Sequence, residues 1–131
     1  MKRIILTVLL LATVSGLSAC TTTQPIHDVE KQAVTSSASQ DEVRQAIVDA
    51  ATSLGWVITD DYDNEITAVL DIRTHQATVS IPYSSHDYSI LYKNSINLNH
   101  SGDKIHRNYN NWVANLDREI RRNLNIARTD L

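Results

Sequence analysis

Histidines are the side chains in this sequence best suited to metal chemistry. His75, His86, His100 and His106 fall near expected turns or helix starts, and could converge at one end of a sheet. Zinc sites usually show histidine pairs at fixed spacing or paired cysteines. The chain has no H-x₃-H pair, no H-E-x-x-H and only one cysteine, so the sequence predicts no metal site.

An acidic run from Asp60 to Glu65 carries carboxylates at alternating positions, as calcium loops do. Such a loop also needs a glycine at its sharp bend and a bidentate acid at its end. Ile66 and Ile72 occupy those two positions. The run is therefore interpreted as a solvated hairpin turn.

Serines are the only plentiful candidate nucleophiles for catalysis in this sequence. No G-x-S-x-G motif surrounds any of them, and with three glycines the chain cannot build a phosphate-binding loop. The serines considered are Ser80, Ser84, Ser85, Ser89 and Ser95. We therefore expect a protein that is not an enzyme.

The N-terminal residues 1–19 have the pattern of a signal peptide. Lys2 and Arg3 precede an apolar run from Ile4 to Val14, and small residues follow it. This run is too short for a transmembrane helix, which needs about 20 apolar residues.

The sequence Leu17-Ser18-Ala19-Cys20 resembles the lipobox of bacterial lipoproteins. The resemblance implies cleavage before Cys20, a diacylglyceryl thioether on its sulfur and an acyl chain on the new amine, with no other cofactor. Two or more acyl chains anchor a protein stably to a membrane. Thr21 in place of aspartate resembles lipoproteins sorted to the outer membrane, which predicts a domain facing the periplasm.

Charge argues against nucleic acid as a partner. Loss of Lys2 and Arg3 with the signal peptide leaves 10 basic against 15 acidic residues, a formal charge of −5. Phosphate binding needs a net basic surface. The single cysteine also excludes an internal disulfide, so the fold depends on its core alone.

Residues 20–38 are rich in Thr, Ser and Gln, and are predicted to be the lipidated cysteine and a flexible tether. A domain is predicted at 39–131. Ser39 and Glu42 fit a capping box at the start of a helix over Gln40–Leu54, which Gly55 ends.

Strands are predicted after this helix from their alternating apolar residues. They cover Trp56–Thr59, Glu65–Arg73, Ala77–Tyr83 and Tyr88–Lys93. Short polar turns between them favour an antiparallel meander. With one helix on each side in sequence, the predicted fold is an α+β two-layer sandwich in the order α-β-β-β-β-α.

A longer C-terminal helix, with Asp103 as its N-cap, carries an apolar stripe that includes Tyr109, Trp112 and Leu116. Its opposite face is basic and could bind an acidic partner or anionic lipid, or be a solvated face. The basic residues are Arg107, Arg118, Arg121 and Arg122.

Tyrosines form the remaining candidate site. Tyr83, Tyr88 and Tyr92 could line a cleft for an apolar or peptide ligand, or fill the core with their hydroxyls at its rim.

A further resemblance covers most of the predicted domain. The residues Gly55-Trp56, Tyr88-Ser89-Ile90 with Tyr92, and Ile105-His106 with Tyr109-Asn110 and Trp112 are similar to a family of small, uncharacterised bacterial lipoproteins, of Gram-negative type. The leading functional hypothesis is a non-catalytic interaction or structural module of the cell envelope. The alternatives are a small-ligand or peptide binder that uses the aromatic cleft, and a hydrolase or metal-dependent enzyme with an unfamiliar site.

Overall fold

The computed structural model of the protein describes residues 22–35 and 37–126. The predicted signal peptide and Cys20 lie outside the described residues. The elements in chain order are β1 (Thr23–Pro25), β2 (Val29–Ala33), α1 (Gln40–Ser53), β3 (Val57–Tyr62), β4 (Glu65–Ile72), β5 (His75–Pro82), β6 (Asp87–Ile96), β7 (Lys104–His106) and α2 (Arg107–Asn123).

Helix α1 begins at the predicted capping box. The Ser39 hydroxyl accepts a hydrogen bond from the Glu42 amide at 3.2 Å, and the Glu42 carboxylate accepts one from the Ser39 amide at 2.6 Å. The helix ends at Ser53 with Leu54 as its C-cap, and Gly55 follows with a φ of +86°, in the left-handed region that stops a helix. These local signals place the helix correctly.

The strands form one antiparallel sheet in the order β2-β6-β5-β4-β3, and β1 pairs with β7 in a separate two-stranded sheet. The meander from β3 to β6 agrees with the prediction. The large sheet nevertheless has five strands rather than four, because β2 pairs with the outer edge of β6.

The prediction of a flexible tether is wrong for residues 23–25 and 29–33, which form β1 and β2. The segment is fixed largely by backbone hydrogen bonds rather than by a long apolar pattern. Beyond the ladder with β6, the Lys31 amide donates to the Ser89 hydroxyl at 2.9 Å, and the Asp28 carboxylate accepts from the Tyr92 amide at 2.9 Å.

One turn and one helix start differ from the prediction. Strand β3 continues through Asp60 and Asp61, and the chain reverses at Asp63 and Asn64, both with positive φ. This is the turn geometry that two-residue hairpins require. At α2 the N-cap is His106 rather than Asp103.

The N-cap of α2 is displaced because residues 104–106 pair with β1 before the helix begins. The His106 ring accepts a hydrogen bond from the Asn108 amide at 3.1 Å. The helix is consequently 17 residues long and begins at Arg107.

The core lies between the two helices and one face of the large sheet. Alternate residues of the strands face the helices, which is the predicted apolar face. The buried residues that form this core are Val43, Ile47, Ala50 and Ala51 of α1, Tyr109, Val113, Leu116 and Ile120 of α2, and Ile66, Ala68, Leu70, Ala77, Val79, Ile81, Tyr88 and Ile90 of the sheet. Neither α1 nor α2 is long and apolar enough to cross a membrane.

Candidate functional site

Tyr88, the central tyrosine of the predicted cleft, belongs to the core. Its side chain is completely buried, and its hydroxyl donates to the Asp117 carboxylate at 2.6 Å. The other carboxylate oxygen of Asp117 accepts from Arg121 at 2.8 Å, and Arg121 also donates to Gln32 of β2. Tyr88 and Arg121 therefore join β6, α2 and β2. Burial raises the pKa of Tyr88, and its hydrogen bond to Asp117 raises that pKa further.

Tyr92 lies at the opposite end of the tyrosine row and is half-buried. Its ring meets Tyr109 edge-on at 5.5 Å and His100 at 4.6 Å between centroids, and its hydroxyl lies 2.9 Å from the Ser95 hydroxyl. The Tyr109 hydroxyl is buried and has no hydrogen-bond partner within the described part of the chain. Burial, and then the negative charge of Asp28, raises the pKa of Tyr109.

Tyr83 is half-buried beside an ion pair between Arg44 of α1 and Asp61 of β3, whose closest atoms are 2.5 Å apart. Burial, and then the charge of Asp61, raises the pKa of Tyr83. The three tyrosines thus occupy neighbouring positions on β6 and just after β5, but the middle one has no exposed surface. Tyr83 and Tyr92 remain as separate, partly accessible side chains.

The four predicted basic residues do not share one surface. Arg107 is exposed at the first position of α2, whereas Arg121 is turned towards Asp117. Arg118 is exposed and donates to Asn115 at 3.0 Å, and Arg122 pairs with Glu119 at 3.1 Å. Neighbouring acids therefore neutralise two of the four charges.

Each of the four histidines considered for metal binding contacts a polar group of the protein, and the contact of His106 is with the Asn108 amide described above. His75 lies 2.6 Å from the Asn97 carbonyl, His86 lies 3.0 Å from the Ser85 hydroxyl, and His100 lies 3.0 Å from the Gly102 carbonyl. Across residues 22–35 and 37–126, no group of three or more His, Cys, Asp or Glu side chains is placed to hold a metal ion.

The largest feature that the sequence did not reveal is the open face of the five-stranded sheet. Val57 is paired with Val69, Tyr62 with Glu65 and Ile96 with Gln76, and all these residues lie on the face opposite the helices. The exposed fractions of Val57, Tyr62 and Ile96 are 60%, 79% and 53%. The signal in the sequence was their alternation out of phase with the core residues. We call this surface the open face.

Side-chain hydrogen bonds link strands on the open face. Lys93 donates to the Thr67 hydroxyl at 3.1 Å, and Ser80 donates to the Glu65 carboxylate at 2.8 Å. Asp71 accepts from Gln76 at 2.8 Å. The face thus combines exposed apolar side chains with carboxylates.

Two grooves lie elsewhere on the surface. An apolar groove of about 210 Å³ contains both tryptophans of the chain, and a more polar one of about 370 Å³ lies between the start of α1 and the end of α2. The apolar groove is lined by Leu54, Trp56, Leu70, Ile72, Trp112 and Asn115. The polar groove includes Glu42, Gln45, Asp49 and Asn123 in its lining.

The two buried tyrosines allow a matched pair of substitutions. Tyr88→Phe removes a hydrogen bond to a carboxylate and should lower the free energy of unfolding by about 1.5–3 kcal/mol. Tyr109→Phe removes a hydroxyl that has no hydrogen-bond partner among the described residues, and it should leave the free energy of unfolding unchanged or raise it by up to about 1 kcal/mol. Urea denaturation measures both. Equal losses in the two variants would contradict this assignment of the hydroxyls.

Alkaline pH should destabilise the domain through the same two residues. In the unfolded chain both hydroxyls ionise near pH 10, whereas in the folded protein their pKa values are raised, so the folded state retains more protons. The free energy of unfolding should then fall by about 1.4 kcal/mol per pH unit for each tyrosine above about pH 10. Denaturation midpoints measured at increasing pH test this, and the Tyr88→Phe, Tyr109→Phe double variant should show a much smaller slope.

Comparison with protein-family models, curated proteins and solved structures finds no match to this chain.

Proposed function

We propose that this chain is a non-catalytic lipoprotein, anchored by lipid on Cys20 in the outer membrane, whose domain binds another component of the envelope on the periplasmic side. The lipobox supports the anchor, because its cysteine follows a charged n-region and an apolar run of signal-peptide length. The open face supports the binding role.

The open face carries this proposal because it is the one face of the large sheet that the helices do not cover. Large exposed side chains such as Val57, Tyr62 and Ile96 would be covered in a complex, and tyrosine is enriched in protein interfaces. Asp60, Glu65 and Asp71 add negative charge to the same face. The expected partner is a protein with an apolar patch bordered by basic residues.

The face, rather than the edge of β3, is the proposed contact. Asp60 and Asp61 lie on this edge strand, and its register shifts between Ile58 and Asp60. Charges and bulges of this kind disfavour the addition of another strand. A partner is therefore expected to pack against side chains instead of extending the sheet.

The anchor is tested by growth with a labelled fatty acid. The unaltered protein should incorporate the label and fractionate with outer membranes, and Cys20→Ala should do neither. Ser18→Thr, which keeps the cysteine, serves as the comparison for precursor processing. Incorporation of label into the Cys20→Ala protein would exclude the lipobox assignment.

The binding role is tested in cells with a photo-crosslinking amino acid placed at position 57 or 62 of the full chain. Each should yield the same adduct, larger than the protein alone, and position 118 on the exposed side of α2 should not. In a Val57→Glu variant that carries the crosslinking amino acid at position 62, the yield of the adduct should be strongly reduced. Absence of an adduct from both positions would count against a partner on the open face.

A small-ligand or peptide binder remains a second candidate because of the apolar groove between Trp56 and Trp112. Its volume of about 210 Å³ is below the roughly 300–1,000 Å³ of most ligand sites, so only a small apolar group would fit. Since both tryptophans line it, a ligand should change their fluorescence. A saturable change that Trp112→Leu abolishes would favour this function, and no change across a panel of apolar compounds and short peptides would exclude it.

A further inference from the structure

We propose that the surface formed by β1, β7 and the first turn of α2 rests directly on the phospholipid headgroups, so that the membrane itself covers this end of the domain. We call this surface the anchor face. The inference rests on the lipid anchor at Cys20 proposed above. In this arrangement the domain contacts the membrane directly, and no flexible tether holds it away from the lipid.

The chain just after Cys20 is held firmly to the domain. The Thr22 carbonyl accepts a hydrogen bond from the Arg107 amide at 2.9 Å, and Thr23, Gln24 and Pro25 pair in register with His106, Ile105 and Lys104. The Ile26 amide then donates to the Asp103 carbonyl at 2.7 Å. These contacts leave the segment from Thr22 no freedom to act as a spacer.

A buried side chain reinforces the same attachment. Asn110 of α2 is only 8% exposed, its amide oxygen accepts from the His27 amide at 3.0 Å, and its amide nitrogen donates to the Pro25 carbonyl at 2.9 Å. Both functions of one amide side chain are thus used to hold the N-terminal segment. Asn110 is the buried polar residue whose role the sequence did not reveal.

The reach of the chain then decides the distance from the membrane. Thr22 is the second residue after Cys20. An extended chain spans at most about 3.6 Å per residue, so the two positions lie no more than about 7 Å apart. The headgroup layer on one side of a bilayer is itself about 5–8 Å thick. Acyl chains inserted from Cys20 therefore bring Thr22 and its neighbours into contact with headgroups.

The side chains of the anchor face suit contact with phosphate groups. Lys104, Arg107, Gln24 and Asn108 are exposed there, and Asp103 is the one acid among residues 101–108. This contrasts with the net negative charge of the processed chain. Asp28, which follows β1, is turned to β6, where its carboxylate accepts from Tyr92. The anchor face therefore avoids the repulsion that an acidic domain would meet at an anionic membrane.

The topology also supplies an internal control at the far end of the domain. Gln40 at the start of α1 donates to Asn64 in the β3–β4 turn, and the Asn123 side chain near the end of α2 donates to the Ala46 carbonyl. Leu54 at the end of α1 and Trp112 near the start of α2 line the same groove. The two helices therefore run in opposite directions, and the β3–β4 turn lies at the end of the sheet away from β7. Asp63 in that turn is exposed and should stay in water.

The test uses the acylated full chain in vesicles of phosphatidylethanolamine and phosphatidylglycerol. Cys20 is the only cysteine and its sulfur would be in thioether linkage, so Asn108→Cys or Asp63→Cys provides a single thiol for a spin label. A nickel chelate attached to lipid headgroups should relax the label at position 108 several-fold more than the label at position 63. Equal relaxation at the two positions in acylated protein would overturn the inference.

A lengthened chain gives the matched control. An insertion of about twelve Gly and Ser residues between Thr21 and Thr22 gives a flexible spacer of roughly 20 Å. It should leave acylation and the denaturation midpoint unchanged but reduce relaxation at position 108 to the level at position 63. Unchanged relaxation after insertion would also overturn the inference. Failure of acylation in the unmodified protein would instead contradict the anchor itself, so the two failures are distinguishable.

Discussion

A chain that begins at Ser39 is expected to lose about 5 kcal/mol of folding free energy, whereas a chain that begins at Thr22 is expected to unfold cooperatively with full stability. The shorter chain lacks β1 and β2, and with them several hydrogen bonds worth about 1 kcal/mol each and the partly buried residues Ile26, Val29 and Val34. Because small domains have about 5–15 kcal/mol in total, much of the shorter chain should be unfolded.

Denaturation in urea, followed by circular dichroism, measures this difference. Asn110→Ala in the chain from Thr22 is an informative comparison, because it removes only the amide that holds Pro25 and His27. It should cost about 1–3 kcal/mol, less than the truncation. Equal midpoints for the chains that begin at Thr22 and Ser39 would restore the tether interpretation.

The contrast between α1 and β2 shows which parts of this fold could be predicted from the sequence. The capping box at Ser39 and Glu42 lies within four residues, and the alternation in β4 and β5 is equally local. Strand β2 instead pairs Val29 with Ile90, a contact between residues 61 positions apart. No periodic pattern in the sequence of β2 predicts this pairing, because β2 is held by backbone hydrogen bonds to a strand that is distant in sequence.

The predicted start of α2 was wrong for a related reason. Asp103 is by residue type the better N-cap, and the apolar Ile105 fitted the helical stripe. Pairing of residues 104–106 with β1 uses Ile105 as a strand residue and delays the helix to Arg107. Pairing with β1, which had been predicted to be part of a tether, thus outweighed the local preference of Asp103 for the N-cap position.

The candidate site was predictable only in part, because side-chain partners come from other elements. The sequence shows that Tyr88 is aromatic and Arg121 basic. It does not show that both bind Asp117, because Asp117 reaches Tyr88 only when α2 packs against β6. The open face could have been found from the out-of-phase apolar residues Val57 and Ile96. Their positions relative to the core depend on register, which the pairing with Val69 and Gln76 fixes.

Trp112→Ala is expected to lower the free energy of unfolding by about 2–4 kcal/mol. Trp112 projects from α2 onto the end of the sheet, where it lines the apolar groove with Leu54, Trp56 and Leu70. Its side chain is partly rather than fully buried, so the loss should be smaller than the 3–5 kcal/mol or so typical of a fully buried tryptophan.

Arg118→Ala is the matched control on the same helix, because Arg118 is exposed and donates a hydrogen bond to Asn115 one turn away. Its effect should not exceed about 0.5 kcal/mol. Urea denaturation monitored by the fluorescence of the remaining Trp56 compares Trp112→Ala with a Trp112→Phe variant, which should recover most of the loss by refilling the groove. If Trp112→Ala were as stable as Arg118→Ala, the contacts of Trp112 with the sheet would contribute little to folding. A loss of partner or ligand binding in that stable variant would then identify the groove as a recognition surface.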